Sequence, residues 1–316
     1  MSISPPAPPA HDGISVRGVA RSFGVVHAVR DVTFEAPPGR ITGLVGPNGA
    51  GKTTLFLMLA SLLAPDAGEI RVGGANPVDD PSAARERLGW MPDALGAWES
   101  LTARETLVVA GRLYGRSKAE AGERAEHLIA EVGLAELATA PARVLSRGQK
   151  QLLGLARALV HEPRVLLLDE PASGLDPSAR IALRHHLRRI ADDGAAILVS
   201  SHVLAELEEM VDDAVFMSQG ATVAGTSGDG AARQREWRIR VAGAPDPWAV
   251  RDAVAGALEG RDVRVERRDL VAAFADDADA ARALQALVAA GVPVAAFAPA
   301  SGDLERAFLD MKEGTE

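Results

Sequence analysis

The sequence has no cysteine, so disulfides and thiolate metal sites are excluded. Lysine is nearly absent too: Lys52, Lys118, Lys150 and Lys312 are all of it. Aromatic residues make up 4%, with a single tyrosine. Basic residues number 34 against 43 acidic ones, a formal net charge of −9. A broad basic surface is therefore missing, and no nucleic-acid partner is expected. The longest mostly apolar run, Leu55 to Ala64, is too short to span a bilayer. The start, Met1 to Pro9, lacks the basic region and apolar stretch of a secretory signal, and residues 1–12 read as a flexible tail. A membrane role would be played from outside the bilayer, through a partner.

What is present is 47% hydrophobic residues over 316 positions, enough for a sizeable core and about two domains. One stretch organises the rest. Gly46-Pro47-Asn48-Gly49-Ala50-Gly51-Lys52-Thr53 has the spacing of a phosphate loop. Glycines let the backbone turn so that its N–H groups face a bound polyphosphate. Lys52 adds a point charge for the β- and γ-phosphates, and the Thr53 hydroxyl can ligate Mg²⁺. The buried-strand pattern of residues 41–45 enters the loop, and a helix beginning at Thr54 leaves it with its anion-favouring end toward the ligand.

Strands predicted at 14–19 and 29–35 precede the loop, with Phe23 between them; short strands follow at 69–72 and 88–91. Residues 98–143 read as an inserted helical block, opened by the Thr102–Glu105 capping box. A second capping box, Ser146–Gln149, opens a helix over 148–160. The apolar run Val165 to Leu168 is a buried parallel strand ending at Asp169-Glu170. A carboxylate there can hold Mg²⁺ opposite Thr53, and its neighbour can polarise an attacking water. Asp176-Pro177 caps a helix over 177–192, and the strand 196–199 ends at Ser200-Ser201-His202. Past a Gly/Ser linker, residues 236–299 read strand, helix, strand, strand, helix, strand, the order of a ferredoxin-like unit, before a last helix at 304–311. This gives an α/β protein with a phosphate-loop domain over 13–230 and an accessory α+β domain over 235–316.

The motifs together resemble the ATPase subunit of an ATP-binding cassette (ABC) transporter, over residues 14–225. Gly46–Thr53 resembles Walker A, Val165–Glu170 Walker B with its glutamate, and Ser173-Gly174-Leu175-Asp176 the D-loop. His202 resembles the switch histidine, and Leu145-Ser146-Arg147-Gly148-Gln149 the family signature, normally Leu-Ser-Gly-Gly-Gln. The resemblance implies a P-loop cassette with a RecA-like core, an antiparallel β subdomain and an inserted helical subdomain. It implies ATP and Mg²⁺, with Glu170, His202 and Lys52 catalytic. Residues 46–54, Thr54 included, would hold the phosphates. Phe23 would stack on adenine, and Thr53, Asp169 and Asp93 would serve the metal. Ser146, Gly148, Gln149 and Asp176 would face a nucleotide across a head-to-tail pair with a second cassette, identical or paralogous.

Two positions depart from the pattern. Arg147 replaces the first signature glycine, and Asp93 stands where most of the family has glutamine, as in exporter-type relatives. The reading is thus an exporter ATPase on the cytoplasmic face of the cell membrane, coupled to a separate transmembrane permease. Residues 85–116, with Trp98 and Leu101, are the expected permease contact. A soluble ABC ATPase acting on ribosomes or DNA is the alternative.

Overall fold

The computed structural model describes residues 12–93, 100–201, 203–223, 235–243, 246–266 and 269–300. His202, Trp98 and the expected helix at 304–311 lie outside them. The chain divides into two compact units, Met1–Gly225 and Thr226–Glu316.

In the first unit, the strands β1 (Ile14–Phe23), β2 (Val26–Ala36) and β3 (Ile41–Val45) lead to helix α1 (Lys52–Leu59). Then come β4 (Ala67–Val72), α2 (Pro81–Arg87), β5 (Leu88–Met91), α3 (Ala103–Leu113), α4 (Lys118–Glu131) and α5 (Arg147–Ala158). The unit continues through β6 (Val165–Asp169), α6 (Pro177–Asp192), β7 (Ala196–Ser200), α7 (Leu204–Glu208), β8 (Asp213–Ser218) and β9 (Ala221–Val223).

These strands form one sheet in the order β4-β1-β2-β9-β8-β3-β7-β6-β5. The β4-β1-β2 edge is antiparallel. The β8-β3-β7-β6-β5 part is parallel. The parallel strands β3, β6 and β7 are covered on both faces, which is why they are apolar runs and not alternating ones. Leu44, Leu167 and Leu198 pack with Leu55, Phe56 and Leu59 of α1 in one core. Each such side chain contributes about 1.5–3 kcal/mol on burial, which anchors α1 and the loop ahead of it.

The α3–α4 block is held at its starts by capping. Thr102 and Glu105 cap α3 reciprocally, and Ser117 and Glu120 cap α4 in the same way. Glu131 at the end of α4 pairs with Arg189 of α6, tying the helical block to the sheet-bearing part.

The second unit runs β10 (Arg235–Val241), α8 (Trp248–Ala257), β11 (Val263–Glu266), β12 (Asp269–Phe274), α9 (Asp277–Ala289) and β13 (Val294–Pro299). Its sheet, in the order β11-β12-β10-β13, is antiparallel throughout. Ile239, Leu270 and Phe274 of the sheet pack with Val254 of α8 and Leu287 of α9. The Arg240 guanidinium grips Asp269 with two hydrogen bonds, at 2.7 and 3.0 Å, across β10 and β12.

Candidate functional site

The site is built where β3 stops. The chain turns through Gly46–Gly51 and enters α1 at Lys52, with Gly51 at the N-cap position in the left-handed region, φ 99°. A Cβ there would also come within 2.4 Å of the Ala28 carbonyl oxygen, so only glycine fits the turn. The Lys52 ammonium curls back and donates to the carbonyls of Gly46 (2.6 Å) and Pro47 (3.2 Å). Burial lowers the Lys52 pKa, while the carboxylates of Glu170 and Asp169 act in the opposite direction.

Two strand ends face the loop. Asp169 closes β6, in register with Ser200 at the end of β7. The fully buried Ser200 hydroxyl donates to Asp169 Oδ1 at 2.5 Å. The Glu170 N–H is shared between the Ser200 carbonyl (3.1 Å) and its hydroxyl oxygen (3.3 Å). Glu170 itself adopts φ 53°, a left-handed conformation unusual for a side-chain-bearing residue. Burial holds the Asp169 carboxyl above its usual range; the Ser200 hydrogen bond opposes this, Asp93 adds to it and Lys52 counters it.

A cavity of about 450 Å³ opens between these elements, a size suited to a small-molecule ligand. Asn48, Gly49, Ala50, Gly51, Lys52, Thr53 and Thr54 line one wall, Asp93, Asp169 and Glu170 another, and Val26, His27 and Ala28 of β2 the third. The arrangement sets backbone N–H groups and a cation opposite a small set of carboxylates, which suits a polyphosphate together with a hard, oxygen-loving cation.

Of the residues singled out in the sequence, the loop from Asn48 to Thr54, Asp93, Asp169 and Glu170 meet at this cavity. Gly46 and Pro47 are not in its lining; their carbonyls accept from Lys52. Phe23 is not part of the lining. Its ring, 48% exposed at the end of β1, lies under the Arg21 guanidinium at 5.0 Å. Ser146, Gly148, Gln149 and Asp176 are also away from it. Ser146 and Gln149 cap α5 reciprocally, at 2.9 and 3.2 Å. Asp176 caps α6, accepting from the Ala179 N–H and the Ser178 hydroxyl. The sequence reading missed His27 and Ser200. For Ser200 the signal was there: a hydroxyl ending a buried apolar strand. For His27, an exposed strand residue, the sequence carries no comparable mark.

Among the described residues no helix is long and apolar enough to cross a membrane. Residues 29–173 match the family model described as ABC transporter. The chain is 36% identical over 249 residues to the Nod factor export ATP-binding protein I of Paraburkholderia xenovorans, covering 78% of this chain and 82% of that protein. It is 36% identical over 217 residues to the daunorubicin/doxorubicin resistance ATP-binding protein DrrA of Streptomyces peucetius, covering 68% of this chain and 66% of that one. A solved ATP-binding subunit of an ABC transporter superposes with a TM-score of 0.62 at 32% identity, over 67% of this chain and 88% of that structure. With the loop, the strand-end carboxylates and the sheet order in place, the chain belongs to the ABC transporter family, as one of its ATP-binding, ATP-hydrolysing subunits.

Proposed function

We propose that the chain hydrolyses ATP with Glu170 as general base and drives export through a separate membrane permease. The observation that carries this is the convergence of the 48–54 loop, Asp169 and Glu170 on one cavity. Residues 46–54, with Lys52 foremost, hold the phosphates, and Phe23 offers its ring to the adenine. Thr53 and Asp169 are hard oxygen donors beside the phosphate site, and Asp93 would meet the ion through water. They suit Mg²⁺, which prefers one or two carboxylates plus substrate phosphates to a closed protein cage. The bound ion would neutralise charge on the phosphates. Glu170 orients and deprotonates the attacking water, and His202 assists at the γ-phosphate.

Family members dimerise and work with membrane permeases. In a pair of cassettes, Ser146, Gly148, Gln149 and Asp176 of one copy face the nucleotide of the other. The exporter reading rests on relatives named for Nod factor export and for daunorubicin/doxorubicin resistance. A drug-like or lipid-like compound is the cargo class, and the cytoplasmic membrane face the place of work. The second unit, which we read as ferredoxin-like, supports the pair or its regulation and takes no part in the chemistry.

The test is ATP binding and turnover of the full chain and of Glu170→Gln. The variant should bind ATP normally and turn over at least about a hundred-fold more slowly, the order expected for loss of a general base. Wild-type turnover in that variant would remove Glu170 from its role.

A further inference from the structure

Arg147 is the first residue of α5, where a cation meets the positive end of the helix dipole. Its side chain is exposed, yet it folds toward residues 173–174. The guanidinium Nη2 donates to the Ser173 hydroxyl at 2.7 Å. The stem lies along Gly174: a Cβ built there would come within 2.8 Å of Arg147 Cδ and 3.0 Å of Cγ. Gly174 has φ 77°, so a side chain is disfavoured on backbone grounds as well. The next residue of the helix is equally close, since a Cβ on Gly148 would come within 3.2 Å of the Gly174 carbonyl oxygen.

The turn gripped in this way begins at Glu170. The Ser173 N–H donates to the Glu170 carbonyl at 3.1 Å, and the Leu175 N–H to that of Ala172 at 3.2 Å. The turn ends where Asp176 caps α6. A continuous path therefore runs from the Arg147 guanidinium through Ser173 to the backbone of Glu170.

We infer that Arg147 is a positioning residue: it braces the Glu170–Leu175 turn against the start of α5 and so sets the aim of Glu170, instead of binding phosphate itself. This rests on the reading of Glu170 as general base. The brace makes the start of α5 and the Glu170 backbone move together. A displacement of the helix end by a bound partner copy is then felt at the base of the same chain.

The experiment measures steady-state MgATP hydrolysis by the full chain as wild type, Arg147→Gly, Ser173→Ala, the double variant and Glu170→Gln, each checked for folding by thermal melting. The brace predicts that kcat falls about five-fold in each single variant, the rate equivalent of about 1 kcal/mol, a typical hydrogen bond. KM for ATP should stay within about two-fold, and the double variant should be no slower than the slower single one. A large rise in KM for Arg147→Gly with Ser173→Ala unchanged would overturn the inference and make Arg147 a phosphate ligand. Additive losses, or an unchanged kcat in either folded variant, would overturn it too. If Arg147→Gly does not fold, kcat of Ser173→Ala alone decides. A wild-type chain without turnover, or an active Glu170→Gln, would refute the proposed function and not the brace alone.

Discussion

Ser200→Ala removes the hydroxyl bonded to Asp169, along with the longer half of the bond shared by the Glu170 N–H. The Ser200 hydroxyl is fully buried and reaches Asp169 Oδ1 at 2.5 Å. A buried donor to a charged acceptor contributes about 1.5–3 kcal/mol. At about 1.4 kcal/mol per factor of ten, its removal corresponds to a ten- to hundred-fold change, matching what loss of a hydrogen-bond partner usually costs a metal ligand, the role proposed for Asp169. The fold should be spared, because the Glu170 N–H keeps the Ser200 carbonyl as acceptor. The change should therefore appear as a roughly ten-fold or greater rise in the Mg²⁺ concentration for half-maximal ATPase activity, with Mg²⁺-free ATP binding unaltered. The sign of the pH effect is also fixed. Burial already holds the Asp169 carboxyl high, and the serine bond is the largest influence bringing it down. Without that bond the ionised form needed by a cation is reached only at higher pH, so the acid limb of the activity profile should move upward. Ser200→Cys, with a weaker donor, should fall between. A folded Ser200→Ala chain with wild-type Mg²⁺ dependence would refute the reasoning.

Lys52→Ala removes the cation on the loop and its two bonds to the Gly46 and Pro47 carbonyls; ATP affinity, read by displacement of a fluorescent nucleotide, should fall at least about ten-fold. Asp93→Ala removes one influence that raises the Asp169 pKa. Its acid limb should move downward, with most ATPase retained and transport by the assembled complex reduced, whereas a collapse as deep as in Glu170→Gln would make Asp93 essential to the chemistry. A chain ending at Gly225, the boundary of the first compact unit, should still bind ATP; a folded truncation that binds none would contradict the division of labour.

The phosphate loop was legible because its glycines are demanded by backbone shape, and α6 because Asp176-Pro177 states its start in two residues. The edge elements were harder. β1 continues past Val19 to Phe23, but register shifts against β2 interrupt the alternation that marks a strand. The sequence reading omitted α2, since Ala84 is its single buried residue and no apolar stripe develops, although Asp80-Pro81 is a start signal. β8 and β9 were passed over as well. β8 opens on an exposed aspartate and β9 has three residues, so both owe their existence to their neighbours in the sheet. At the site the motif residues were readable one by one. The direction of the Arg147 side chain was not, because it depends on a turn brought alongside from 26 positions further on.

The left-handed backbone of Glu170 has an evolutionary consequence. Holding a glutamate there costs of the order of 1–3 kcal/mol, a strain that asparagine or glycine would largely relieve. Variants sorted for heat resistance alone should thus accumulate asparagine or glycine at position 170, and lose turnover as they gain melting temperature. Variants sorted for turnover should keep the glutamate and its strain, and acquire their stabilising changes elsewhere in the molecule.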